Sequence, residues 1–168
     1  KFHRGLEIVG QMLGFDAEIP GGEGAPDCVW SLGDLIHIVH EAKTEQTPGD
    51  PIGINDVRQA QSHFDWIKAH RPCNKRTDII CVMETPRTVL SRTALPHAKT
   101  LCRVAPDEVR TIAKEVTAAL RVIRAGATTM GLEAILEKTL GKYREANLRP
   151  LDVAERLSVQ EVSKMPTA

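Results

Sequence analysis

Residues 27–45 read DCVWSLGDLIHIVHEAKTE, two runs rich in β-branched and aromatic residues divided by Gly33 and Asp34. A glycine-aspartate pair between extended runs is turn chemistry, so the stretch predicts a β-hairpin. Asp27 opens its first strand. Glu41 and Lys43 stand near the end of its second strand, two residues apart and therefore on one face.

The neighbouring segments dress this hairpin on both sides. Phe2, Leu6, Val9 and Leu13 recur at helical spacing up to Gly14, which predicts a helix over residues 3–14. FDAEIP (15–20) is a candidate first strand, and GGEGAP (21–26) a flexible turn without the GxxxxGK[ST] order of a phosphate loop. QTPGDPIG (46–53) ends the hairpin as a loop, after which Ile54, Val57, Gln61, Phe64 and Ile67 predict a helix over 54–69. DIICVM (78–83) is a continuous apolar run of strand length, the expectation for a buried central strand. KTLCRV (99–104) is a candidate fifth strand, and VLSRTAL (89–95), held between Pro86 and Pro96, is a short helix or an edge element. Pro106 with Asp107 and Glu108 opens a helix running to Gly126, and two more helices are predicted near 129–145 and 150–163. The expected fold class is α/β: a mixed central sheet of four to five strands flanked by helices, with extra C-terminal helices. Residues 1–126 form the expected core and 127–168 a helical extension of the same domain. Because the chain starts at Lys1, almost directly in helical periodicity, it reads as a domain taken from a longer protein.

Composition narrows the classes further. At 168 residues with 42% hydrophobic and 26% charged residues, the chain belongs with globular proteins rather than disordered or fibrous ones. No apolar run approaches the ~20 residues that span a bilayer. The N-terminus lacks a secretory signal pattern, so no membrane partner and a cytoplasmic location are expected. Cys28, Cys73, Cys81 and Cys102 form no CxxC pair, which argues against structural zinc and leaves Cys28 and Cys81 as small buried hydrophobes. Lys+Arg and Asp+Glu are both 22, so nucleic-acid binding would have to come from a local basic surface. Arg58, Lys68, Arg71, Lys75 and Arg76 are the candidates, with weak DNA affinity as the consequence.

If the hairpin diverges at its open end, Asp27 and Glu41 can reach one hard cation from adjacent strands, with Lys43 beside it. Phosphodiester hydrolysis uses such a set: an ion on two carboxylates polarises phosphate and acidifies water, while an ammonium orients that water. Two clustered carboxylates repel, so one is expected to titrate above its ordinary range. His37 and His40 are three apart in one strand and face opposite sides, so they form no paired metal site. His63 and His70 show no partner in the sequence. No GxSxG elbow is present.

The segments GAPDCVW (24–30) and HEAKTE (40–45), with an amphipathic helix before them and NDVRQAQSHFDW (55–66) after them, resemble the PD-(D/E)XK nuclease superfamily, restriction endonuclease-like, which includes Mrr-like and RecB-like nuclease domains. The resemblance spans about residues 3–85. It implies Mg2+, with Mn2+ as substitute, on Asp27, Glu41 and the backbone carbonyl of Ala42, with Lys43 serving the attacking water. Glu7 on the first helix and Gln59 or Gln61 on the later one become accessory residues, Gln59 catalytic and Glu7 a further metal ligand. It also implies a DNA substrate, with RNA as an alternative and a catalytically silent nuclease-like module as a second. The implied partners are a motor or sensor domain of a parent protein, or further copies of the chain, in a DNA-processing or phage-defence setting.

Overall fold

Gly33 adopts φ +56°, a left-handed conformation that glycine takes without steric cost, and it turns β2 (Cys28–Leu32) into β3 (Ile36–Ala42). Cys28 pairs with His40 and Leu32 with Ile36, so the predicted hairpin forms. The computed structural model describes residues 1–168, and its other elements are α1 (Phe2–Met12), β1 (Asp16–Glu18), α2 (Ile54–His70), β4 (Asp78–Glu84), β5 (Leu101–Val104), α3 (Pro106–Ala127), α4 (Leu132–Glu145) and α5 (Pro150–Ser158). The fold is α/β, and the sheet order is β1-β2-β3-β4-β5. β1, β2 and β3 are antiparallel neighbours, whereas β3, β4 and β5 run parallel. α2 makes the crossover between β3 and β4.

Alternation along the strands divides the core into two layers. On one face Cys28, Trp30, Ile36, Ile38 and Val82 pack with α1, α3 and α5. On the other, Val29, Val39, Cys81, Met83 and Leu101 pack with α2 through Val57, Ala60 and Ile67. α1 lies very close to β2 because Gly10 has no side chain: a Cβ there would fall 2.5 Å from the Trp30 indole nitrogen. That nitrogen donates to the Leu6 carbonyl at 3.0 Å and ties helix to strand. Tyr143 of α4 donates its hydroxyl to the Met12 carbonyl at 2.5 Å, so the C-terminal helices are joined to the first.

Of the two readings for residues 89–95 the edge element holds and the helix does not: Leu90 bridges Ile52 and Thr167, and only a short 3-10 turn, Leu95–His97, follows. Two helix boundaries depart from expectation. The fourth helix begins at Leu132 rather than 129. The last helix ends at Ser158 rather than 163, since the chain then runs beside β5: the Arg103 amide donates to the Gln160 carbonyl at 2.7 Å and Cys102 bridges Glu161. An uncovered edge strand leaves unpaired backbone groups, and here the tail supplies partners. The cysteines are free, with Cys28 and Cys81 buried as expected. No helix is long and apolar enough to cross a membrane.

Candidate functional site

Asp27 immediately precedes β2, and its amide donates to the His40 carbonyl at 3.0 Å, which extends the ladder by one step and sets Asp27 opposite Glu41. Its Oδ2 accepts the Ala42 amide at 2.7 Å. Within a strand a residue's N–H and C=O point to the same side, so the Ala42 carbonyl also faces the Asp27 edge. Asp27 Oδ1 makes no hydrogen bond. Asp27, Glu41 and Ala42 therefore present oxygen atoms around one end of the hairpin, beside the carboxyl ends of parallel strands β3 and β4.

Glu41 is 2% exposed, and each of its oxygens has a partner. Lys43 Nζ is 2.7 Å from Oε1, and His63 Nε2 is 2.6 Å from Oε2. Burial alone would raise this carboxyl, but hydrogen bonds from His63 and Lys43, together with their charge, hold it below its ordinary range. The expected upward shift from clustered carboxylates is thus reversed at Glu41, because its nearest neighbours are donors. Lys43 also donates to Gln59 Oε1 at 2.9 Å, which brings Gln59 into the site. Gln61, two residues on and hence on another face of α2, donates instead to Thr100 Oγ1 at 2.7 Å. Glu7 lies one turn beyond His3 on α1 and is engaged by Arg4. Its charge reaches Cys28, whose thiol burial, with Glu84 and Glu7 adding, pushes up to about 12.

Three histidines gain roles that the sequence reading did not assign. His63, without a visible partner in the sequence, is buried against Glu41. His3 Nε2 lies 3.6 Å from Asp27 Oδ2. His40 points to the opposite face of the sheet, where its Nδ1 meets Glu84 Oε1 at 2.6 Å and its ring lies 4.4 Å from that of Trp30. One signal was present for His63: it stands four residues after Gln59, on the same helical face. His37 faces the other way from His40, as expected, and contacts Ser31 and the Pro72 carbonyl.

The expected basic cluster does not assemble. Lys75 and Arg76 sit on a turn anchored to the hairpin tip, where Asn74 and Thr77 bond Asp34. α2 runs back along β3, so its end lies at the opposite end of the sheet from Glu41. Arg71 pairs with Glu18, Lys68 covers the Phe64 ring, and Arg58 contacts His97. A groove of about 520 Å³, lined by none of Asp27, Glu41 and Lys43, opens between the start of α1, Thr44 and Glu45 after β3, and the start of α3. Phe2, Leu6 and Val9 line it with Lys1 and Arg110.

A divalent ion can be tested against this donor set. Two carboxylates with a backbone carbonyl suit a hard cation, and Mg2+ in particular is commonly held by one or two carboxylates with water and phosphate oxygens completing the shell. No three His, Cys, Asp or Glu side chains converge as a preformed cage. The residues fit a two-carboxylate site of that open kind. No family model, curated protein or solved structure matches the chain.

Proposed function

We propose that the chain is a metal-dependent nuclease domain of the PD-(D/E)XK type, hydrolysing phosphodiester bonds in DNA. The observation that carries this reading is the facing of Asp27 and Glu41 across adjacent strands, with Lys43 bonded to Glu41 on the same strand face. In this reading Asp27, Glu41 and the Ala42 carbonyl hold Mg2+ or Mn2+, which when bound polarises the phosphoryl oxygen and acidifies water. Lys43 swings from Glu41 to the attacking water and the phosphate, offsetting charge that develops in the transition state. Gln59 holds the ammonium near the site while it is not so engaged. Thr44 and Glu45, directly after Lys43, border a groove that offers a strand apolar Phe2 with Lys1 and Arg110, a combination that suits stacking and phosphate contact.

The test is incubation of plasmid and of single- and double-stranded DNA and RNA oligonucleotides with Mg2+ or Mn2+, with and without chelator. The reading predicts cleavage of DNA that stops with chelator and with Glu41→Ala. Chelator-resistant cleavage, or none with either metal on any substrate, overturns it.

A further inference from the structure

Side chains two apart on a strand are about 6.6 Å apart, and residues four apart on a helix rise about 6 Å, so an antiparallel helix can match a strand residue for residue at those steps. α2 and β3 do so here. Gln59 meets Lys43 at 2.9 Å and His63 meets Glu41 at 2.6 Å. We propose that His63 is a positioning residue for the cation site, its Nε2–H fixing Glu41 Oε2 so that Oε1 stays turned toward Lys43 and Asp27. The proposal rests on the nuclease reading and assigns a role beyond those of Asp27, Glu41 and Lys43.

The geometry carries it in three ways. His63 is 1% exposed and its Nδ1 has no partner, so the contact with Glu41 is the one polar interaction that its ring makes. An apolar residue would fill that volume without leaving a buried nitrogen bare. Second, when Lys43 turns to water or phosphate it would leave Glu41 Oε1, one of the oxygens that would hold a cation. His63 then remains as the side-chain donor holding the carboxylate. Third, the donor is mounted on the middle of a 17-residue helix packed through Val57, Ala60 and Ile67, so its position is set by the core rather than by a loop. Ligating carboxylates held in this way by an outer partner typically lose about 10–100-fold in metal affinity when the partner is removed.

The experiment is Mn2+ binding to the DNA-free protein, followed by electron paramagnetic resonance, for the wild type, His63→Leu, His63→Asn and His63→Gln. Leucine fills space without a donor, asparagine is too short to reach Glu41, and glutamine carries an N–H of similar reach. The expected result is a loss of about 10–100-fold in affinity for His63→Leu and His63→Asn, with most of it recovered in His63→Gln. Cleavage by the weakened variants should return toward the wild-type rate at saturating Mn2+, a split between affinity and turnover that a purely packing role does not produce. If His63→Leu does not fold, the asparagine and glutamine variants decide. Wild-type affinity in folded His63→Leu or His63→Asn overturns the positioning role and leaves the nuclease reading standing. Absence of Mn2+ binding by the wild type overturns both.

Discussion

Two buried histidine-glutamate pairs sit back to back on the sheet, one on each face, and they are built to different ends. Each has a 2.6 Å contact, His63 with Glu41 and His40 with Glu84. Glu41 has a second donor in Lys43 and lies beside Asp27 at the end of the hairpin. Glu84 is fully buried, and its Oε2 has no partner. The balance of charge follows. Donors hold Glu41 below the ordinary carboxylate range, whereas burial, outweighing His40, drives Glu84 above it. Proximity of a carboxylate to a histidine therefore does not mark a site by itself. What separates the two is the additional cation, Lys43, and the second carboxylate, Asp27, set opposite Glu41 at the end of the hairpin.

The comparison breaks most visibly in activity. Asp27→Ala and Glu41→Ala are expected to reduce metal-dependent cleavage to background while circular dichroism shows the fold retained; more than a tenth of wild-type activity in either would contradict the assignment. Lys43→Ala should lose on the order of 100-fold in rate, as removal of one transition-state donor does elsewhere, with metal affinity largely kept. Calorimetry that finds lost affinity as the main defect would reverse the roles given to Lys43 and the carboxylates.

The other pair should answer in stability instead. His40→Ala leaves the buried Glu84 carboxyl without its hydrogen-bond partner and is expected to cost about 1–3 kcal/mol in denaturant unfolding. Replacing both partners with apolar residues should restore much of that loss. A single His40 variant with wild-type stability would show that the pair carries no structural weight.

Acid separates the pairs by sign. Glu41, with its folded-state value lowered, contributes stability that is present above the ordinary carboxylate range and lost as pH falls through the lowered value. Glu84, with its value raised, contributes stability that is present below that range and lost as pH rises through the raised value. Thermal melts across pH should therefore show a flatter acid limb for Glu41→Gln and a flatter limb above the ordinary carboxylate range for Glu84→Gln. Identical pH profiles for the two variants would erase the distinction drawn here.

The smallest expected effect lies in DNA binding. With basic and acidic residues balanced at 22 each, few phosphate contacts are expected, so affinity should be weak and its salt dependence shallow. Charge reversal of Arg110 beside the groove should reduce the salt slope by about one contact, whereas reversal of Lys75 and Arg76 at the far end of the sheet should leave it unchanged. A larger effect from the far pair would relocate the DNA surface.

The hairpin, both flanking helices and the fifth strand were legible because they rest on local signals: Gly33 at the turn, β-branched and aromatic residues in β2 and β3, the apolar run of β4, and proline at the start of α3. Asp27, Glu41 and Lys43 were legible for the same reason, since strand parity alone puts Glu41 and Lys43 together. His63 and Glu84 were not, because each meets its partner only after α2 folds back across β3 or β4 aligns beside it. The basic cluster was misplaced by treating residues close in sequence as close in space. The course of α2 carries Lys75 and Arg76 away from the residues that precede the helix. The tail beyond Ser158 escaped notice because its backbone partner, β5, lies more than fifty residues upstream.

In the proposed site Asp27 and Glu41 share a divalent ion while Glu84, on the other face, takes no part. Calorimetric titration of Mn2+ into the wild type, Asp27→Asn, Glu41→Gln and Glu84→Gln at neutral pH tests it most directly. Binding is expected in the wild type and Glu84→Gln and its loss in both Asp27→Asn and Glu41→Gln. A wild type that binds no Mn2+, or binding that survives Glu41→Gln, would contradict it.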